Sequence, residues 1–214
     1  MSEVINAQNG ISSEDAQRVA EAVRSGALAI IPTDTSYAVI CDAFHMAAVS
    51  AIRIAKNQSG MPKLPIAAAN IETILGVAQL STVAQDLARS FWPGPLTILA
   101  GEQPALAWNI GNVDHALAVR VPNHEAAQKI LGLIGPTVMT GAQQAGGHPI
   151  LTIEHARASL GESVAFYVDG GSLSGTTSSV IDASSDNLRF IRAGVLSLDE
   201  IRNVVPTVIN AVTV

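Results

Sequence analysis

Three hydroxyls and a carboxylate fall within four residues at Thr33-Asp34-Thr35-Ser36, directly after an apolar run from Ala27 to Ile31. The run reads as a short buried strand, and Pro32 ends its ladder because proline has no N–H to donate. A polar loop at the end of a strand, held by a rigid sheet, is a usual ligand site in an α/β protein. The helix that follows ends in Lys56-Asn57-Gln58, which places a cation within reach of the same opening. Three further polar clusters interrupt the chain: Lys56–Lys63, Thr140–His148 and Ser174–Ser179. Arg120 and Arg192 add two cations from strand positions. Hydroxyls, glycines and cations together suit an anionic, phosphorylated ligand. Structural roles are also open: turn formers at Thr33–Thr35, a dipole-favoured cation at Lys56 and salt bridges at Arg120 and Arg192.

Familiar chemistries are absent. No Gly-x-x-x-x-Gly-Lys-[Ser/Thr] string or strand-following Gly-x-Gly-x-x-Gly occurs, and no Gly-x-Ser-x-Gly elbow. The five histidines show no ligand spacing, which argues against a protein-held metal. Cys41 is the only cysteine, so an intrachain disulfide is excluded and a buried inert thiol is expected.

The elements that must position these groups alternate between helix and strand. Ser12–Ser25 is expected as a helix boxed by Ser12 and Asp15, with Gly26 as its left-handed C-cap. Strands follow at Ala27–Ile31 and Tyr37–Cys41, then a helix over Met46–Ala55 and a loop over Asn57–Lys63. Leu64–Ala69 reads as a strand, Asn70 as a cap, and Ser81–Phe91 as a helix with Thr82 and Gln85 in capping-box spacing. Trp92-Pro93-Gly94-Pro95 forces a corner into a strand at Thr97–Ala100, and Gly101–Asp114 reads as a surface excursion. Ala116–Val121, Thr137–Thr140, Val164–Val168, Ser179–Asp182 and Leu188–Arg192 are further strands, the last two paired antiparallel through Ser184–Asn187. Helices are expected from Pro122 to about Leu133, over Ile153–Leu160, and from Ser197 to a stop at Pro206. The fold class is α/β, a twisted mixed parallel and antiparallel sheet flanked by helices. Residues 1–205 are expected as one domain and 206–214 as a tail whose apolar residues cover a neighbour or the chain's own sheet edge.

The 214 residues suffice for a sizeable core. Only 14% are charged, against roughly a quarter in an average soluble protein. No apolar run approaches the ~18 residues of a membrane span, and no charged-then-apolar leader is seen. A soluble, cytoplasmic protein without membrane association is the expectation. The net charge of −6 argues against a whole-surface nucleic-acid platform.

Several strings then occur in a fixed order: Pro32-Thr33-Asp34-Thr35-x-Tyr37, Ala55-Lys56, Phe91-Trp92-Pro93-Gly94-Pro95-Leu96-Thr97, Ala118-Val119-Arg120-Val121-Pro122, Ser178-Ser179-Val180-Ile181-Asp182 and Ile191-Arg192-Ala193-Gly194. The series resembles the YrdC-like family, the threonylcarbamoyl-AMP synthases, from about Gly26 to Gly194. The resemblance implies a twisted α/β fold with a deep positive cavity, without the extra C-terminal domain of longer members. It also implies that L-threonine, bicarbonate and ATP, with magnesium accompanying the nucleotide, give threonylcarbamoyl-adenylate and pyrophosphate. That product would serve tRNA threonylcarbamoyladenosine formation through a separate transferase complex. By the same analogy Thr33, Thr35 and Arg120 hold the threonine side, and Lys56 meets the carboxylate or phosphates. Lys63, Thr140, Gln143, Ser178 and Arg192 complete the nucleotide pocket, with Lys56, Thr33 and Arg120 as the catalytic set.

Three positions depart from the family pattern. Lys-x-Arg is replaced by Lys56-Asn57-Gln58, and Ser-x-Asn by Gly141-Ala142-Gln143. Each lost charge-assisted hydrogen bond corresponds to about 1.5–3 kcal/mol. Lys63 could stand in for the missing guanidinium, and Gln144 or His148 for the missing amide. Two other readings remain: a paralogue that binds a different nucleotide or acyl group, and a non-catalytic module for double-stranded RNA.

Overall fold

In the computed structural model, which describes residues 2–104, 106–112 and 116–212, strand β1 (Glu3–Asn6) leads into helix α1 (Ser13–Arg24). Ser12 caps α1 by accepting from the Asp15 N–H at 3.0 Å. Gly26 follows with φ of 98°, a left-handed conformation that a Cβ resists. The next elements are β2 (Ala29–Pro32), β3 (Tyr37–Asp42) and α2 (Met46–Ala55). After them come β4 (Ile66–Ala67), α3 (Ile71–Leu75), β5 (Ala78–Gln79), α4 (Thr82–Phe91) and β6 (Leu96–Glu102). Strand β7 (Leu117–Arg120) is followed by α5 (Glu125–Ile134), β8 (Thr137–Gly141) and α6 (Ile153–Leu160). The remaining elements are β9 (Phe166–Asp169), β10 (Ser179–Asp182), β11 (Arg189–Arg192), α7 (Leu198–Val204) and β12 (Ile209–Asn210).

Hydrogen bonding orders the sheet β1-β9-β2-β3-β8-β4-β7-β6-β10-β11-β12, with β5 paired to β6 off that path. Parallel and antiparallel neighbours are mixed, as expected: β2 runs antiparallel to β3 and parallel to β9. Strands β10 and β11 pair antiparallel, as the Ser184–Asn187 turn implies. Alternate residues of each strand enter different cores. Ala29, Ile31, Ala38 and Ile40 meet α1 and α5 on one face. Ile30, Tyr37, Val39 and Cys41 meet α2, α4 and α6 on the other. Burial on both faces explains why these strands read as continuous apolar runs. Cys41 is fully buried, and desolvation pushes its thiol up to about 12, so it is neutral and unreactive at ordinary pH. Among the described residues no helix is long and apolar enough to cross a membrane.

Several boundaries differ from the sequence reading. Ser81, rather than Thr82, caps α4 by accepting from the Ala84 N–H, and Gln85 instead donates to the Leu80 carbonyl. Helix α5 begins at Glu125, not at Pro122. The Gly101–Asp114 segment is not wholly irregular, because β6 extends to Glu102 and pairs with β5. Ile110 is buried, and its carbonyl accepts from the Leu64 N–H and from Arg53. Ala105, Val113, Asp114 and His115 lie outside the described residues, as do Thr213 and Val214 of the tail. Ile209 and Asn210 of that tail pair with β11, so it covers the chain's own sheet edge.

Candidate active site

The loop between β2 and β3 is built around the Thr33 hydroxyl. Thr33 Oγ1 donates to the Ser36 carbonyl at 2.7 Å and accepts from the Thr35 and Ser36 N–H groups, each at 3.2 Å. A hydroxyl has one proton and two lone pairs, so Thr33 is saturated by its own loop. The 3.1 Å contact between the two threonine hydroxyls therefore leaves the Thr35 proton unspent, because Thr33 has neither a proton to give nor a free lone pair. Thr33 shapes the turn, and Thr35 is the hydroxyl presented outward. Both line one cavity.

Arg120 crosses to this loop from the end of β7. Its Nε donates to the Gly94 carbonyl at 3.1 Å, one Nη to Thr35 Oγ1 at 3.2 Å, and the other to Asp34 Oδ1 at 2.6 Å. Asp34 Oδ1 also accepts from the Asn123 N–H at 3.1 Å. Of five guanidinium N–H groups, two are left for a ligand. Desolvation draws the Arg120 pKa down while Asp34 opposes it, so the ion pair keeps a nearly buried guanidinium charged. Gly94 belongs to the corner expected at Trp92–Pro95, where the Trp92–Pro93 bond is cis. Asp34, which the sequence reading placed in the polar loop without a role of its own, is the group that holds Arg120 against that loop.

A second guanidinium faces the same space. Arg192 Nε and Nη2 both donate to the Ser178 carbonyl, at 3.1 and 2.9 Å, and Nη2 also reaches Ser178 Oγ at 2.9 Å. This leaves Nη1 available. The Ser178 hydroxyl shares a 2.8 Å hydrogen bond with Thr97 of β6, a residue that the sequence reading quoted within a motif but gave no role at the site. Burial, and secondarily Arg120, lower the Arg192 pKa, so the two cations sense one another. Gly194 lets the chain after β11 press on this segment. A Cβ there would lie 2.3 Å from the Thr177 carbonyl oxygen and 2.5 Å from Ser178 C and Ser179 N, all main chain. Gly194→Ala is therefore expected to destabilise the fold by about 3 kcal/mol and to displace Ser178. Urea denaturation and ligand titration of the variant would check both effects.

The cavity has a volume of about 470 Å³, within the range of ~300–1,000 Å³ usual for small-molecule sites. Thr33, Thr35, Arg120, Thr140, Gln143, Ser178 and Arg192 all line it, over a floor that includes Ile66, Val119 and Met139. Among the described residues that line it there is no Asp or Glu. Lys56 and Lys63, expected at the site, do not line it. The Lys56 ammonium, 5% exposed as a residue, donates to the Gly141 carbonyl and, at 2.6 Å, to the Gln143 carbonyl. Lys63 is paired with Glu102 at 2.7 Å and so does not supply the missing cation. Gln144 ties α2 to α6 by donating to the Ala55 and Ser159 carbonyls, and His148 lies outside the cavity lining. Desolvation lowers the Lys56 pKa to about 8. An ammonium with two carbonyl partners and no carboxylate is the expected origin of such a shift.

The Sua5/YciO/YrdC family model, described as telomere recombination, matches residues 21–194. A Mycobacterium tuberculosis protein provisionally named threonylcarbamoyl-AMP synthase is 33% identical over 185 residues, which cover 86% of this chain and 85% of that protein. The threonylcarbamoyl-AMP synthase of Pyrococcus abyssi is 30% identical over 208 residues, 96% of this chain and 61% of that protein. The crystal structure of P. abyssi Sua5 complexed with L-threonine superposes with a TM-score of 0.91 at 29% identity, covering 98% of this chain and 62% of that one. Escherichia coli YciO shares the fold, with a TM-score of 0.84 at 21% identity over 94% of this chain and all of that one.

Proposed function

Because the chain belongs to the Sua5/YciO/YrdC family, we propose that it is a threonylcarbamoyl-AMP synthase, which joins L-threonine, bicarbonate and ATP. The observation that carries this reading is the cavity in which Arg120 and Arg192 both keep unengaged N–H groups and whose lining, among the described residues, holds no carboxylate, Asp34 engaging Arg120 from outside that lining. Threonine carbamate brings its own nucleophilic oxygen. That oxygen attacks the α-phosphorus of ATP, forming the carbamoyl–phosphate anhydride as the bond to pyrophosphate breaks. The protein's part is to align the two substrates and neutralise charge as it develops.

Arg120 and Thr35 take the threonine carboxylate, since Arg120 is held on three sides and presents the rest of its fork. Arg192 and Ser178 take the phosphates through Nη1 and the hydroxyl shared with Thr97. Magnesium arrives on the triphosphate, because the lining offers it no carboxylate. The product then passes to a threonylcarbamoyl transferase acting on tRNA. A duplex RNA is not the expected occupant, because the cations sit within a small-molecule cavity rather than along an open face.

The test incubates purified protein with ATP and magnesium, with and without L-threonine and bicarbonate, and follows pyrophosphate. Release that needs both additions is expected. Release without threonine, or no ATP binding at all, would overturn the assignment.

A further inference from the structure

Helix α2 turns an uncharged, apolar face to solvent. Met46 and Ile54 are 66% and 79% exposed, more than any other large apolar side chain among the described residues. Phe44 and Met61, in the segments that flank the helix, are 44% and 48% exposed. Met46, Ser50 and Ile54 follow at intervals of four, which aligns them along one side of the helix. No residue exposed between Phe44 and Pro62 carries a charge. Each of the other α-helices shows solvent an acidic residue: Glu14 on α1, Glu72 on α3, Asp86 on α4, Glu125 on α5, Glu154 on α6 and Asp199 on α7.

The charges around this face are turned inward or engaged. Arg53, itself buried, donates to the Pro62 and Ile110 carbonyls at 2.9 and 2.7 Å, and Lys63 is paired with Glu102. Glu102 also accepts from the Trp108 indole N–H, and the Trp108 ring stacks on Phe44 with centroids 5.4 Å apart. The Phe44 N–H is held in turn by Asp42 Oδ1 at 2.8 Å. A face fixed in this way loses little freedom when something docks on it.

Its size fits a protein partner. At about 150–200 Å² for a large side chain, the exposed parts of Phe44, Met46, Ile54 and Met61 come to roughly 350–450 Å², the scale of the functional patches found on monomers. Doubled across a two-fold axis, with roughly 60% of an interface apolar, that area corresponds to a buried total of about 1,200–1,500 Å², the lower end of stable interfaces.

We propose that a second copy of this chain docks here, the two α2 helices packing antiparallel about a two-fold axis at Ser50. A two-fold interface sets one patch against itself, so charges of one sign on it repel their own copies. With a net charge of −6 and acidic residues on every other α-helix, the α2 face is where two copies meet without that cost. Ser50 lies midway between Met46 and Ile54, so crossing at this small residue seats Met46 of each copy against Ile54 of the other. The inference is independent of the synthase reading.

Sedimentation of wild type over about 1–100 µM, where interfaces of this size fall, is expected to show a monomer–dimer equilibrium. Met46→Lys and Ile54→Glu each bring a charge into the centre of the face and should weaken self-association at least about 100-fold. At concentrations where wild type is monomeric, both should melt like wild type, because both positions are exposed. Mixed in equal amounts, the two variants should dimerise again, since the introduced ammonium of one copy then faces the introduced carboxylate of the other. Ser50→Cys should cross-link to itself on mild oxidation, the native Cys41 being buried. A wild type that stays monomeric throughout would leave the face to a different partner, and a dimer that survives Ile54→Glu would lie on another face. Either result overturns the proposal. A mixture that stays monomeric, or a Ser50→Cys dimer that does not cross-link, overturns the antiparallel crossing.

Discussion

Arg120→Met is expected to reduce threonine-dependent pyrophosphate release by about 10³-fold and to lower unfolding stability by about 3–5 kcal/mol. The activity loss follows from removing the cation that would grip the threonine carboxylate, where one well-placed donor is worth about 10²–10³ in rate. The stability loss has a separate cause. Asp34 Oδ2 is already buried without a partner, and Oδ1 depends on Arg120 and the Asn123 N–H. Deleting the guanidinium strands a buried carboxylate, which is far more damaging than deleting a whole pair. Adding Asp34→Asn should therefore restore most of the stability and none of the activity. Arg120→Lys should also fail, since an ammonium cannot reach Gly94, Thr35 and Asp34 from one plane. Denaturant melts and a pyrophosphate assay on the three variants check each step. A double variant as unstable as Arg120→Met would show that Asp34 is not the reason.

Lys56→Met is expected to lower stability by about 3 kcal/mol and to cut activity about 10²-fold, although Lys56 does not line the cavity. Two carbonyls would lose a charged donor, and the Gly141–Gln143 wall would lose its clamp. A misplacement of about an ångström there is enough for the rate loss. Because binding fails with the wall, kcat and affinity should fall together. The pH dependence has a definite sign. The native pKa of about 8 lies below the ~10.4 of an unfolded lysine, so between these values the unfolded chain holds a proton that the native protein has released. Stability contributed by Lys56 therefore rises from pH 8 to about 10.4 and is flat below 8. The margin of wild type over Lys56→Met in denaturant melts should widen between pH 7.5 and 10. A margin that stayed constant or shrank would contradict the burial of a charged ammonium.

These two residues also show what was legible in the chain. Arg120 could be found because Ala118–Val121 alternates as a strand, and a lone arginine in such a pattern needs a partner or a ligand. Thr33, Thr35, Ser178 and Arg192 were legible as polar breaks in apolar runs. For Lys56 the letters placed a cation at a helix end. They could not reveal that its flexible stem would find the main chain of residues 85 and 87 positions away. Gln58 and Gln144 carry the same ambiguity, since an amide's partner is a tertiary fact. Among the elements, α1 was readable because its cap and stop are local. Strands β1, β5 and β12 were not, because they have four, two and two residues, and only pairing with distant strands makes them strands.

Strand β9 sits between β1 and β2, so residues 3–6 pair with 166–169. On a ribosome this imposes a schedule. The first strand has no partner until roughly 160 further residues have been made, which at about 5–20 residues per second means on the order of 10–30 s. During that interval β2 and β3 can form their hairpin while one edge of β2 stays open, and an exposed sheet edge invites pairing with other chains. Long-range closure of this kind also slows refolding. Expression trials at lower temperature or with a chaperone are thus expected to change the soluble yield more than the melting temperature of the folded protein would suggest.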